Sequence, residues 1–360
     1  MKQKIQNLKN WIKKNNTYLM PVSVILGFFI DYITLNRIDR VFENTVFIFY
    51  LFFAILGIFI FNYFFNKEIK NSFLEKIYIF SPFLIQFMFG GLFSGFAVFY
   101  YRSGSLSSSW FFIFLLLLLM LGNDIFKKQY ENLVLQITIF FSGLFFYYLF
   151  AVPIILNIIS AKAFIISGIT SLLSIVIIIY IFSLFILDEI KKSLKYLITS
   201  ILLVFIFINV LYFTNIIPPI PLVLKKGDVY HEVYKLQDGY HVIGEKEKGF
   251  LNFNKVINIG QGDSVYVYSS VFAPLDINTD IVHDWQYFDT NMKKWVSSTK
   301  ISFPMIGGGN NGYRGYSYKT NLKDGKWRVR VETVRGQVIG TIHFDVIYTQ
   351  SIPMLLEKVL

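Results

Sequence analysis

Apolar positions follow two patterns along this chain. Up to residue 217 they run together in long blocks, and after Ile216-Ile217-Pro218-Pro219-Ile220-Pro221 they alternate with polar residues and are punctuated by glycine. About 20 apolar residues in a helix, rising about 1.5 Å each, span the roughly 30 Å hydrocarbon core of a bilayer. Seven blocks approach that length, at about 18–36, 44–65, 78–101, 109–123, 133–156, 163–187 and 196–217, the fourth being the shortest. Backbone amides in lipid need partners within their own segment, so each block predicts a helix. Beyond the seam the period becomes two, as in Val265-Tyr266-Val267-Tyr268 and Lys326-Trp327-Arg328-Val329-Arg330-Val331-Glu332. That is the pattern of half-buried strands. In the second run Trp327, Val329 and Val331 are expected to face a core, with Arg328, Arg330 and Glu332 toward water.

Further strands are expected near 229–236, 239–244, 283–288, 300–304, 313–319 and 337–348, separated by Asp-Gly, Gly-Gln-Gly-Asp, Asp-Gly-Lys and Arg-Gly turns. Short strands so spaced predict an antiparallel β-sandwich. The expected architecture is a polytopic α-helical membrane bundle of about seven transmembrane helices followed by an all-β sandwich. Its segments are a basic amphipathic cytoplasmic tail (1–16), the transmembrane domain (17–217), a Pro-rich linker (218–222), an extracytoplasmic β-sandwich (223–348) and a C-terminal tail (349–360). In the first of these, Ile5, Leu8, Trp11 and Ile12 share one helical face, suited to the inner headgroup layer or to a solvated start of the first span, and no cleavage-site pattern follows.

Composition sharpens this division. With 54% hydrophobic and 19% aromatic residues averaged over a chain that includes a polar domain, the first half is too apolar for a water-soluble fold. The net charge of +11 is distributed as a membrane protein distributes it. Taking the N-terminus as cytoplasmic, the cytoplasmic segments carry Lys2, Lys4, Lys9, Lys13, Lys14, Lys67, Lys70, Lys76, Lys127, Lys128, Lys191, Lys192 and Lys195, whereas the opposite loops carry Arg37, Arg40, Arg102 and Lys162. Thirteen against four sets the N-terminus inside and the C-terminal domain outside the cell (inner) membrane. Residues 222–360 hold 17 Lys and Arg against 14 Asp and Glu, so membrane lipids are the expected partner of the basic excess and nucleic acid is not. The absence of cysteine removes disulfides, thiolate metal sites and cysteine nucleophiles.

Within the helical half, polar groups at depth are scarce. Asp31 lies toward the outer end of the first span, where pairing with Arg37 or Arg40 is the structural expectation and a transport site the functional one. Gln86 and Gln136 are candidate interhelical hydrogen-bonding groups, and Gly90, Gly91, Gly95 and Gly143 permit close helix approach. Pro82 and Pro153 mark kinks or span ends.

In the β half the sequence from about Val271 to Val346 places Trp285 in a strand, then Gly312-Tyr313-Arg314-Gly315-Tyr316-Ser317, the Gly325-Lys326-Trp327-Arg328-Val329 turn and strand, and Gly336-Gln337-Val338 leading to Phe344 and Val346. This stretch resembles domain-of-unknown-function family 2914, a small bacterial domain at the C-terminus of membrane and envelope proteins, and Pro218 to Leu222 resembles the linker before it. The resemblance implies a β-rich, immunoglobulin-like extracytoplasmic module without an established activity. Gly315 departs from the Thr or Ser expected after the Tyr-Arg pair.

The candidate ligand-binding residues are Trp285, Arg314 and Tyr316. For Trp285 and Trp327 the structural alternative is a core indole bonded to a backbone acceptor. For Arg314 it is stacking on Tyr316 or pairing with Asp284, against recognition of an anionic glycan or headgroup. The run Gly307 to Gly312 lacks the Gly-Lys-Ser/Thr ending of a phosphate loop and reads as a hairpin connection. His231, His241, His283 and His343 fit no metal spacing, and Asp276, Asp280, Asp284 and Asp289, expected between strands, lack a calcium-loop pattern. No catalytic, metal-binding or cofactor-binding motif is found. The expected function is an integral membrane protein displaying a non-catalytic binding or interaction module toward a cell-envelope glycan or protein. The alternative is a transporter or lipid-modifying membrane enzyme using Asp31, Gln86 or Gln136.

Overall fold

The computed structural model describes residues 28–35, 41–65, 67, 69–103, 110–118, 132–217, 222–237, 239–245, 255–272, 280–304 and 313–360. They form two units, one helical and one built from strands, divided near residue 214. The tail 1–16, Arg37, Arg40, Pro218 to Pro221, Asp276 and the run 307–312 lie outside the described residues.

The helical unit contains described helical residues at 28–34 (α1) and 110–118 (α4), and the full helices α2 (Val41–Phe64), α3 (Ser72–Ser103), α5 (Leu133–Leu156), α6 (Ala161–Ser183) and α7 (Leu187–Phe213). These last five are long and apolar enough to cross a membrane. They correspond to five of the seven expected blocks, with α3 and α7 starting earlier than the apolar run because their first turns, at Ser72 and Leu187, carry Glu75 and Asp188-Glu189. Acids in a first turn complement the exposed amides there. Pro82 and Pro153 lie inside α3 and α5 rather than at helix ends.

Apolar groups are exposed on the described helices, as a lipid-facing surface requires, among them Val41, Ile155, Leu173, Tyr180 and Leu203. Between helices the contacts are aromatic: Phe47 stacks on Phe96 with centroids 4.9 Å apart, and Phe145 on Phe205 at 5.6 Å. Glycine admits the bulk. A Cβ at Gly91 would stand 2.7 Å from the Tyr50 ring and one at Gly95 2.8 Å from Phe47, so α2 and α3 approach through these two positions. Gly143 faces Leu92 at similarly close range, whereas Gly90 faces open space.

The β unit has eleven strands among its described residues: β1 (Val223–Tyr230), β2 (Glu232–Leu236), β3 (Gly239–Glu245), β4 (Lys255–Ile259), β5 (Ser264–Phe272), β6 (Asp280–Asp289), β7 (Lys294–Pro304), β8 (Tyr313–Thr320), β9 (Gly325–Thr333), β10 (Val338–Tyr348) and β11 (Leu355–Val359). They form a five-stranded sheet of order β4-β10-β9-β6-β7, a three-stranded sheet β1-β5-β8, and a second three-stranded sheet β11-β3-β2. The sandwich core lies between the first two. Alternate residues of β5 (Val265, Val267, Val271), β6 (Ile281, Trp285), β9 (Trp327, Val329, Val331) and β10 (Ile342, Phe344, Val346) fill it. The third sheet packs on the other side of β1-β5-β8 through Tyr230, Val233, Val242 and Tyr268.

Three expectations are corrected here. The sandwich is not wholly antiparallel, because β4 pairs parallel with β10. That pairing follows from β4 and β5 lying in different sheets, joined by the Gly260 to Asp263 turn, where Gly262 takes φ +90° and the Asp263 carboxylate accepts from the Gly260 amide at 2.7 Å. The segment 349–360 contains strand β11, paired antiparallel to β3 through Leu355 to Val359. Leu222, expected in the linker, is fully buried in the sandwich core.

Candidate functional site

The intramembrane candidates sit in two separate places. Asp31, 5% exposed, accepts from the Tyr50 hydroxyl at 3.4 Å and from the Ser94 hydroxyl, so both of its oxygens are engaged by α2 and α3. The expected partners Arg37 and Arg40 lie outside the described residues, and the described partners of Asp31 are two neutral hydroxyls. Gln136, fully buried on α5, accepts from the Asn62 amide of α2 at 2.6 Å. Tyr50 and Asn62 are twelve residues apart on α2, which at the helical rise is about 18 Å along its axis. The fold therefore keeps the Asp31 and Gln136 contacts at different depths and does not assemble them into one site. Gln86 is 9% exposed on α3. Further single contacts tie helices together: Thr138 to Ser200 at 2.7 Å and Tyr148 to Ser174 at 2.8 Å.

In the β unit the three candidate residues are likewise dispersed. Trp285 is on the inner face of β6 with no exposed surface, and its indole N–H donates to the Ser317 hydroxyl at 3.0 Å, a side chain rather than the expected backbone acceptor. Trp327 does find a backbone acceptor, the Lys323 carbonyl, at 2.7 Å. Ser317 also meets His283 Nδ1 at 2.8 Å, and His283 Nε2 meets Ser269 at 2.8 Å. Burial pushes His283 down to about 3, which keeps this enclosed ring neutral. Its neighbour Phe303 stands edge-on at 4.8 Å, and a Cβ at Gly315 would collide with that same ring. Glycine replaces the expected Thr or Ser there because the Phe303 side chain occupies the space.

Arg314 and Tyr316 lie on the opposite face of the β1-β5-β8 sheet. The strand register lines up Tyr266 with Tyr318, Tyr268 with Tyr316 and Ser270 with Arg314. Arg314 neither stacks on Tyr316 nor meets Asp284, since its Nη1 donates to the main-chain oxygen of Leu360 at 2.9 Å. Tyr240 donates to the Arg314 carbonyl at 3.0 Å. Burial raises the Tyr240 phenol and Tyr316 adds to that, with Arg314 opposing. This cluster holds the third sheet to the sandwich. Tyr266 stacks on Tyr318 at 5.2 Å, and Tyr318 is 55% exposed.

The constellation that sequence reasoning missed is the outer face of the five-stranded sheet. Register places Asp284 beside Arg330 and Lys300, and Gln286 beside Arg328 and Ser297, while Arg328 faces His343 on β10. Asp284 accepts from Ser297 and from the Gln286 amide, and Gln286 Oε1 accepts from Arg328 Nε at 2.7 Å. The Arg328 guanidinium lies 4.5 Å from the Trp295 ring centre, and Trp295 meets His343 at 5.9 Å. Arg330 Nε binds Glu332 at 2.9 Å, with Lys300 3.7 Å from the same carboxylate. Glu332, expected to face water, is 2% exposed beneath these cations. Burial raises its carboxyl against the opposing pull of Arg330. Burial lowers Arg328, and Arg330 beside it lowers it further. His343 is lowered by burial and then by Arg328.

The remaining candidates are scattered. His231 contacts Glu245 at 3.1 Å and His241 contacts Glu357 at 2.7 Å. Asp280, Asp284 and Asp289 all belong to β6 rather than to a loop between strands. Among the described residues no group of three or more His, Asp or Glu is arranged to hold a metal ion.

Residues 278–346 match the family model described as protein of unknown function (DUF2914), which takes in β6 to most of β10 and with them this outer face. No curated protein matches the chain. Among solved structures, an immunoglobulin-like protein from Pseudomonas aeruginosa is similar at 10% identity and TM-score 0.21, over 35% of this chain and 95% of that one. A beta-glucosidase from Listeria innocua is similar at 12% identity and TM-score 0.19, over 32% of this chain and 16% of that one. An alkylpurine DNA glycosylase from Pseudomonas fluorescens is similar at 9% identity and TM-score 0.21, over 86% of this chain and 99% of that one. At these scores none of the three bears on what the chain does.

Proposed function

We propose, starting from the family match over residues 278–346, that this chain is a multi-pass protein of the cell membrane that displays its β unit outside the cell as a binding module. The carrying observation is the outer face of the five-stranded sheet, where Asp284, Gln286, Arg328 and Trp295 form one connected set, with the Arg330–Glu332 pair beside it, inside the matched region. Membrane-length helices in the preceding unit, and the thirteen-to-four distribution of basic residues, support the outward orientation. The module binds a component of the envelope, and the helices hold it at the membrane surface. The test uses full-length protein in lipid nanodiscs against fractionated envelope glycans and proteins. Saturable binding to one fraction, lost when the β unit is unfolded, supports the reading, and binding to none contradicts it.

A second reading has its own observation, the carboxyl of Asp31 enclosed among helices with only the hydroxyls of Tyr50 and Ser94 as described partners. Enclosed ionisable groups in a membrane are costly and tend to serve transport. This reading makes the helical unit a proton-linked carrier. It requires that Asp31→Asn, with expression intact, abolish a proton-coupled flux in reconstituted vesicles, and an unchanged growth and flux phenotype rejects it.

A further inference from the structure

We propose that the outer face of the five-stranded sheet is a carboxylate-binding site for an acidic glycan, with the Arg328 guanidinium as its central donor and Arg330 as a second. The proposal rests on the reading of the β unit as a binding module and names its ligand class.

Arg328 is fixed before any ligand arrives. Its planar face rests against Trp295 at 4.5 Å, and its Nε is held by Gln286 Oε1 at 2.7 Å. The orientation of the Gln286 amide is set in turn, because its NH2 donates to Asp284, whose other oxygen accepts from Ser297. Four residues, Trp295, Gln286, Asp284 and Ser297, thus aim one guanidinium. Its two terminal amino groups have no hydrogen-bond acceptor among the described residues, and both keep access to solvent. An arginine with Nε occupied and both terminal nitrogens free presents its end as a fork, matched to a carboxylate by two parallel hydrogen bonds. Arg330 repeats the arrangement, with Nε committed to Glu332 at 2.9 Å. Two residues apart on the same face of β9, the two forks are spaced about 7 Å along the strand, which suits a ligand carrying repeated anions.

Stability alone does not explain the arrangement. Asp284, Gln286 and Glu332 are 2%, 6% and 2% exposed on a sheet face turned away from the core. Buried ionic groups are commonly replaced by apolar residues at no loss of stability. What the network supplies is a fixed geometry for Arg328.

Charge balance selects the ligand class. The cations Arg328, Arg330, Lys300 and Lys326 are interleaved with Asp284, Glu332 and Asp345 in the cross-strand register. Lipid headgroups and nucleic acid are drawn by a broad positive field of clustered Lys and Arg, which this face does not present. Recognition here depends on short-range planar geometry, and Trp295 beside the fork offers an apolar edge to the C–H groups of a sugar ring.

The test measures binding of polygalacturonate to full-length protein in neutral nanodiscs, against neutral dextran, poly(glycerol phosphate) and vesicles of phosphatidylglycerol. The expected result is saturable binding of polygalacturonate alone, weakened at least tenfold by both Arg328→Lys and Arg328→Gln, and about threefold by Arg330→Lys, with the unfolding midpoint unchanged. Arg314→Ala, on the other sheet, leaves binding intact. Arg328→Lys keeps the charge and loses the fork, so equal binding by that variant overturns the proposal. So does preference for poly(glycerol phosphate) or the vesicles, or no binding of polygalacturonate at all. Binding of an envelope fraction that survives every Arg328 variant overturns this inference and leaves the binding-module reading standing, whereas failure to bind any envelope fraction removes both.

Discussion

The helical unit and the β unit use polar groups in opposite ways. In the helices each enclosed polar contact is short and local: Asp31 with Tyr50 and Ser94, Asn62 with Gln136, Thr138 with Ser200, Tyr148 with Ser174. Each ties helix directly to helix. In the β unit polar groups are continuous, from Ser297 through Asp284 and Gln286 to Arg328 on one face, and from Ser269 through His283 to Ser317 and Trp285 inside. Isolated contacts hold a scaffold, while a connected set aims a particular group. The proposed division, recognition by the β unit and anchorage by the helices, rests on that contrast.

The contrast is broken most forcefully at the inner network. Trp285→Ala empties a fully buried site and removes one of the two partners of the Ser317 hydroxyl, so the β unit should lose about 3–5 kcal/mol, read as a fall in its denaturant midpoint with the helical signal unchanged. Gly315→Ala, by collision with Phe303, should cost about 1–3 kcal/mol.

A smaller effect follows from pH. His283 is held neutral by burial with a folded value near 3, below its ordinary 6.5. A histidine lowered on folding takes up its proton more readily in the unfolded chain, so its contribution is constant above about pH 6.5 and is lost as pH falls toward 3. Unfolding measured from pH 8 to pH 4 should show this decline, and His283→Gln should flatten it even though that variant is less stable throughout. A wild-type curve no steeper than the variant's would refute the assignment.

Smaller again is the single contact between α2 and α5. Gln136→Leu removes the acceptor of the Asn62 amide and should weaken the helical unit by about 1 kcal/mol, measured as unfolding in mixed micelles. Smallest is Arg314→Ala, which removes one of the bonds that hold Leu360, the amide bond to Tyr240 remaining. Faster amide exchange confined to β11 and its partner β3 is expected, with global stability nearly constant.

Where the sequence had a strong local period, it was informative. The alternation in 326–332 identified β9 and its inner residues Trp327, Val329 and Val331, and the apolar blocks located the five long helices. The expected strand 229–236 joins the end of β1 to β2, which lie in different sheets, and two further strands escape the sequence pattern altogether. Lys255–Ile259 offers only five residues, and Leu355–Val359 shows no two-residue alternation in its burial because the strand lies on a half-exposed sheet edge. Partnerships between distant positions were not legible. Nothing near Asp31 announces Tyr50 or Ser94, and nothing near Arg314, for which Tyr316 and Asp284 are the expected partners, announces Leu360. The outer-face set was hidden in plain alternation, since Arg328, Arg330 and Glu332 read as ordinary water-facing positions. The available signal was Asp284 and Gln286 in the middle of a strand otherwise rich in Ile, Val, Trp and Tyr, where a short polar side chain is worth its position only with a partner across the sheet.

The proposed topology puts the β unit outside the membrane that holds the helices. The chain has no cysteine, so a single Met292→Cys substitution at a site 60% exposed gives an unambiguous reporter. In intact cells, a membrane-impermeant maleimide should label this position as completely as it does after lysis. Labelling that appears only once the cells are opened would contradict the account.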